Sequence, residues 1–355
     1  MPDKFRIGVT RDFIGPDGRM TYKDIGLGLL DSEPHCAYRF LDENTNPASP
    51  DQIADCDAVL SLTPAWKAET FANGADRLLI VSRFGVGYDM CDVAALTANN
   101  VLLTITPGAT DQPVAGGVLA MMLALSRRLF TKDRLVREGR WHERANHMGT
   151  DIAGKILGIV GFGGAGKRLR QLVQPFGMKV LAYDPFLPDA NFTEQDVTRT
   201  ATLEELFAAA DYISIHCLLN DATHHLIDKR LFDRMKPTAY FFNAARGPIV
   251  NETDLIDVLR NGRIAGAGID CFEQEPPAAD NLLFKLDNVI LAPHAVCWTD
   301  ECFRAIGESA MRSILAVMRG EKPFGLLNPE VIEQKDFQAK QRAMRARLAV
   351  ESIVP

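Results

Sequence analysis

The sequence predicts an α/β protein in two domains, and three observations carry that expectation. Short apolar runs of strand length alternate with helix-periodic or turn-rich stretches along most of the chain. One stretch, 155–185, reads strand, glycine-rich turn, helix, strand and acidic residue in direct succession. At 355 residues the chain is also long for a single hydrophobic core, so two domains are the natural division.

The runs at 6–10, 37–40, 58–62, 78–81 and 102–105 are the expected strands of a first α/β unit. After the third run, Thr63-Pro64-Ala65-Trp66 is a loop. Its Trp66 either lines a pocket or, in the commoner use, caps the domain's own core. After the fourth run, Arg83-Phe84-Gly85-Val86-Gly87-Tyr88-Asp89 sets two glycines around Val86. This loop reads equally as an anion cradle of backbone N–H groups or as a plain strand-to-helix turn with Asp92 as cap. Thr106-Pro107-Gly108 reads as a turn and a domain crossing, and Asp111 and Pro113 mark a helix start. The helix expected over 114–130 is apolar nearly all round its first half, as befits one buried between domains or against a second subunit. Its Gly116-Gly117 pair costs roughly 1 kcal/mol per glycine relative to alanine, which close backbone packing would offset. The charged stretch 131–150, with Trp141, His142 and His147, suits a solvated arm or a subunit contact.

The 155–185 stretch opens with Ile156-Leu157-Gly158-Ile159-Val160, a run suited to a buried parallel strand. Gly161-Phe162-Gly163-Gly164-Ala165-Gly166 follows, then Leu169, Leu172, Val173 and Phe176 at the spacing of one helix face. A second run, 180–183, ends on Asp184, about 20 residues past the glycines as a dinucleotide fingerprint requires. Gly161 permits the tight turn, Gly163 admits a pyrophosphate close to the backbone, and Gly166 lets helix and strand pack. The helix N-terminus then faces the phosphates. Asp184 can accept from both ribose hydroxyls and repels a 2′-phosphate, so the expected cofactor is NAD rather than NADP.

Further on, helices are expected at 203–210 and 252–260 and strands at 212–216, 239–242, 267–270 and 289–291. A helix runs from Thr299 to about Arg319. The polar tail from Glu330 reads as solvated or as embracing a subunit. Hydrophobic content of 47% and charged content of 24% are those of an ordinary globular protein, and a net charge of -7 argues against nucleic acid as a partner. The longest apolar run, 118–125, is too short to span a bilayer, and the N-terminus has no apolar signal core. The chain therefore reads as cytoplasmic, without a membrane partner. Seven scattered cysteines with no C-x-x-C pair read as buried thiols, neither disulfides nor a metal site.

Three motifs close successive expected strands: Asn243-Ala244-Ala245-Arg246-Gly247-Pro248, Gly268-Ile269-Asp270-Cys271-Phe272-Glu273-Gln274-Glu275-Pro276 and Leu291-Ala292-Pro293-His294-Ala295. They bring a cation, a carboxylate and an imidazole to neighbouring strand ends, where open α/β sheets bind their ligands. With the 84–89 loop, Thr106-Pro107-Gly108 and Gly325-Leu326-Leu327-Asn328-Pro329, their order resembles the D-isomer-specific 2-hydroxyacid dehydrogenases over nearly the whole chain.

The resemblance implies a Rossmann dinucleotide-binding domain, 106–298, inserted in a flavodoxin-like α/β substrate domain made of 1–105 and 299–355. It implies an active site in the cleft between them, a homodimer, and NAD-dependent interconversion of a D-2-hydroxy acid and its 2-keto acid by hydride transfer. Arg246, Glu275 and His294 match the family's catalytic triad. His294 would be the acid/base, Glu275 its charge partner, and Arg246 the two-point contact to the substrate's carboxylate and carbonyl. The same match puts Gly161, Gly163, Gly164, Ala165 and Gly166 at the pyrophosphate and Asp184 at the adenosine ribose. Cys217 would lie beside the cofactor, Ala244, Ala245, Arg246 and His294 at the nicotinamide, and Asp270 at its carboxamide or ribose side. Val86 and Gly87 would then cradle the substrate carboxylate, and Trp66, Arg83 and Trp298 are candidates for a side-chain pocket. No metal is implied. Two departures affect pocket shape: Val296-Cys297-Trp298 stands where many relatives have Gly-Gly, and Gly116-Gly117 where many carry Glu-His. The first resembles the C-terminal-binding-protein corepressors, so the alternative is an NAD(H)-sensing dimeric scaffold with vestigial dehydrogenase activity.

Overall fold

Apolar runs separated by helix-length connections pair in parallel, because each crossover returns the chain to the end of the sheet where the previous strand began. The computed structural model, which describes residues 4–348, has two such sheets. One compact unit runs from the N-terminus to Thr110 and resumes at Thr299; the other is Asp111–Trp298.

The first unit contains β1 (Phe5–Val9), β2 (Cys36–Phe40), β3 (Ala58–Ser61), β4 (Ile80–Arg83) and β5 (Leu102–Thr104), in the order β2-β1-β3-β4-β5. That is the flavodoxin-like doubly wound order. Period-two alternation splits each strand between two cores. Ala58, Leu60 and Ile80 face the Asp300–Arg319 helix through Phe303, Ile306, Ala310 and Ile314. Val59, Val81 and Leu103 face Trp66, Phe71 and Leu96 on the other side. Thr299 caps that long helix by accepting from the Cys302 amide at 3.1 Å. Gly307 is obligatory within it, since a Cβ there would lie 1.8 Å from the Ile25 carbonyl oxygen.

Trp66 is fully buried and donates from Nε1 to the Ser61 hydroxyl at 2.9 Å. It is a core residue of this unit, which removes it from the pocket candidates. The tail also departs from the solvated reading. The helix Lys335–Leu348 buries Phe337, Met344 and Leu348 in the first unit's core. Its Arg347 joins Arg77 on the fully buried Asp57 carboxylate.

The second unit contains β6 (Ile156–Val160), β7 (Lys179–Tyr183), β8 (Thr198–Arg199), β9 (Tyr212–Ile215), β10 (Tyr240–Asn243), β11 (Gly266–Ile269) and β12 (Val289–Leu291). Their order is β12-β11-β10-β9-β6-β7-β8, so the winding reverses between β6 and β9. β8, two exposed residues long, carries no apolar run and was not expected from the sequence. The helix expected over 114–130 is two helices, Asp111–Ser126 and Leu129–Arg137, bent by 58°. Arg128 makes the corner in the left-handed region at φ 52°. The first helix buries Ala115, Val118, Met122 and Leu125 in its own unit's core with Ile159, Leu169 and Phe242. Among the described residues no single helix is long and apolar enough to cross a membrane.

Candidate active site

The carboxyl ends of β6 and β9 meet at the reversal point, the place where doubly wound sheets hold a ligand. Gly161 ends β6 at φ 87°, and a Cβ there would sit 2.5 Å from the Cys217 amide nitrogen beyond β9. Gly166 lies so close to the turn that its Cβ would meet the Gly161 carbonyl oxygen at 2.7 Å. Gly163, by contrast, faces open space and is exposed, as is Gly164 at the start of the Gly164–Val173 helix. The first amides of that helix have no partner within it, so an exposed donor set stands at its positive end. Two glycines for packing and one for clearance is the division that a pyrophosphate cradle needs. These residues fit a dinucleotide.

Asp184 ends β7 and accepts from the Phe162 and Phe186 amides, each at 3.0 Å and each through a different oxygen. Each carboxylate oxygen has a second lone pair, so both can still accept from ribose hydroxyls. Cys217 is held as a neutral thiol, its pKa pushed up to about 12 chiefly by burial. One neighbour was not legible from the motif. The Asp111 carboxylate lies directly over Gly164, 2.0 Å from where a Cβ would be, and burial raises its pKa.

The three chemical motifs lie at the ends of β10, β11 and β12, which are adjacent in the sheet. Past β10, Asn243 accepts from the Ala245 amide and donates to the Arg246 carbonyl, closing the loop that presents Arg246. Ala244 and Ala245 are half-buried in it. Gly247 holds that loop against the end of β11, because any Cβ would overlap the Phe272 carbonyl at 1.7 Å. Past β11, the Phe272 amide donates to Glu275 Oε1 at 3.0 Å. Past β12, the His294 amide donates to the Asp270 carbonyl, and Asp270 Oδ1 accepts from the Ala295 and Val296 amides at 2.8 and 3.0 Å. This clamp holds His294 at φ 53°, a conformation that costs a non-glycine residue about 1–3 kcal/mol. Asp270 is 2% exposed, and burial raises its pKa.

The outcome is a dyad. His294 Nδ1 and Glu275 Oε2 are 2.8 Å apart, with side chains 43% and 37% exposed. Burial alone would raise the Glu275 pKa. The His294 hydrogen bond and charge, the Phe272 amide and the Arg246 charge outweigh it and hold the carboxyl below its ordinary value. Arg246 thus stands near enough to act on Glu275, while its Nη1 donates to the Ala245 carbonyl at 2.8 Å. A pair this exposed adds little stability. Its value is orientation of the imidazole.

The remaining sequence candidates lie on separate units. In the first, the half-buried Val86 and Gly87 follow Gly85 at φ 134°, and among the described residues their amides have no acceptor within the chain. Arg83 folds back on this loop, donating to the Phe84 carbonyl. In the second, the Trp298 amide closes a turn on the Ala295 carbonyl, and the residue is 49% exposed.

The sequence model of "D-isomer specific 2-hydroxyacid dehydrogenase, NAD binding domain" matches residues 119–295. A glyoxylate reductase of Korarchaeum cryptofilum is 38% identical over 287 residues, covering 80% of this chain and 86% of that protein. The chain belongs to the D-isomer specific 2-hydroxyacid dehydrogenase family. A D-3-phosphoglycerate dehydrogenase of Archaeoglobus fulgidus is 36% identical over 75% of this dehydrogenase but only 50% of its own length. A solved structure from Thermus thermophilus superposes with a TM-score of 0.79 at 26% identity, covering 91% of this chain and 99% of that one. The protein is thus an NAD-dependent D-2-hydroxyacid dehydrogenase, with NAD as its cofactor.

Proposed function

We propose that this dehydrogenase interconverts a D-2-hydroxy acid and its 2-keto acid with His294 exchanging the proton of the substrate oxygen. One observation carries the reading: the 2.8 Å His294–Glu275 bond, on strand ends that also present Arg246, in the unit bearing the dinucleotide turn. Glu275 orients the ring and stabilises the imidazolium that forms when the hydroxyl proton is taken up. Arg246, with its planar fork of donors, binds the substrate carboxylate and polarises the carbonyl. NAD, when bound, supplies the carbon that accepts or returns the hydride. Gly163, Gly164 and Ala165 hold its pyrophosphate and Asp184 its ribose, while Ala244 and Ala245 border the nicotinamide. The unengaged amides of Val86 and Gly87 suit a carboxylate, and Trp298 is assigned to the substrate's side chain. The exposed Phe130, Trp141 and Met148 suit pairing with a second copy.

The relatives named glyoxylate reductases make glyoxylate the first substrate to try, followed by larger 2-keto acids. With the substrate that works, His294→Ala lowers kcat by about 10²–10⁴-fold, the range of a lost acid/base. NADH binding, followed by its fluorescence, is unchanged. Turnover retained in His294→Ala removes the imidazole from this role.

A further inference from the structure

Cys271 has no part in the reaction described above, yet it stands between Asp270 and the dyad's carboxylate in the sequence. Its sulfur, a Glu275 carboxylate oxygen and a His294 ring nitrogen all lie within 4.8 Å of one another. The side chain is 2% exposed, and its thiol donates only a weak bond, to the Ala245 carbonyl at 3.4 Å. The sulfur lone pairs remain available. Burial keeps the group a neutral thiol, so by itself it is no nucleophile. Cys297, a partly exposed thiol on the turn beyond His294, lies near enough to Cys271 that its thiolate form would act on it.

A thiolate, an imidazole and a carboxylate in this span form the mixed donor set that zinc favours. Three protein ligands leave a fourth tetrahedral position for water or for Cys297. Magnesium and calcium prefer oxygen donors and are disfavoured here. We propose that Cys271, Glu275 and His294 form an inhibitory zinc site. The ion takes the place of the proton shared by the dyad, which passes to the other ring nitrogen or to solvent, a Zn–S bond replaces the S–H bond, and the thiol proton leaves to solvent. No electron is transferred. With the imidazole and Glu275 held by the ion, the dyad exchanges no proton and turnover stops until the metal is removed. The inhibition rests on the function proposed above; the binding does not.

The test titrates Zn²⁺, and separately Co²⁺ as a spectroscopic probe, into the full-length chain without NADH. The expected result is one ion per chain, a thiolate-to-cobalt charge-transfer band in the near ultraviolet, and zinc inhibition reversed by EDTA. Magnesium leaves turnover unchanged. Cys271→Val keeps turnover, loses the cobalt band and needs about tenfold more zinc or beyond for half-inhibition. Cys271→Ser serves if the valine variant does not fold. A cobalt band unchanged in the Cys271 variants, or no zinc binding at micromolar concentration, overturns the site. Cobalt bound through Cys271 with undiminished turnover overturns the inhibition instead, and separates it from the binding.

Discussion

Glu275 is the residue on which the dyad's geometry turns. It takes one hydrogen bond from the Phe272 amide and pairs through its other oxygen with His294, so its orientation is set from both sides. Its pKa lies below the ordinary 4.5, so the sign of the pH effect is determined. The pairing is fully present above about pH 4.5 and is lost as pH falls through the lower native value. Glu275→Gln keeps the shape and removes the charge. Its kcat/KM is expected to fall about tenfold or more at neutral pH, as imidazolium stabilisation is lost. The profiles of variant and wild type then converge only as pH falls through that lower native value, where the wild-type carboxyl also becomes neutral. Profiles that stay parallel down to that range would show that the negative charge is irrelevant. That Arg246, Glu275 and His294 follow neighbouring strands was legible because each lies in a short motif after an apolar run. What holds them was not. Gly247 and the Asp270 clamp act through backbone contacts between distant strand ends, and no local pattern encodes those.

Among elements, the Asp111–Ser126 helix shows how far a sequence pattern reaches. Its apolar character marks a buried helix, but Leu129 and Phe130 beyond it read as more of the same helix and hide the corner at Arg128, where one left-handed residue redirects the chain. The Gly116-Gly117 pair reads as one feature and is two. A Cβ on Gly117 would lie 2.5 Å from Val296 Cγ2 and 2.6 Å from the Val296 carbonyl oxygen, whereas one on Gly116 meets nothing within 4 Å. Only Gly117 is needed for close approach, and what approaches is the turn that carries His294. Gly116→Ala should therefore stabilise the protein by up to about 1 kcal/mol through helix propensity. Gly117→Ala should destabilise it by about 1–3 kcal/mol through overpacking and lower kcat with it. Thermal melts of the two variants decide the matter; equal shifts would mean that the Val296 turn is free to yield. The strands were easier to read. β3 and β5 fall within a residue of their apolar runs, because strands buried on both faces need continuous apolar sequence.

For the molecule as a whole, the first unit is built from both ends of the chain, and the last helix is anchored by polar groups that hydropathy does not reveal. Lys335–Leu348 is poor in apolar residues and reads as solvated or as embracing a subunit, yet it is held at several buried points of its own unit. Lys340 donates from Nζ to the carbonyls of Asn99 at 2.7 Å and of Leu78 and Asn100 at 3.3 Å. Asn99 is the C-cap of the Val93–Ala98 helix, so the ammonium also faces the negative end of that helix. Burial pushes the Lys340 pKa down to about 8 from 10.5, against the pull of Asp76 and Asp336. Below pH 8 native and unfolded chains both hold the proton. Between 8 and 10.5 the unfolded chain holds more, so this lysine makes stability rise with pH across that window. At pH 7 Lys340→Met leaves three carbonyls without their donor and should cost about 1–3 kcal/mol. Urea unfolding at steps from pH 7 to 10.5 is expected to show a rise in wild type relative to the methionine variant. A constant difference between the two across that range would mean that Lys340 stays charged throughout, held by its three carbonyls, and that its burial carries no titration.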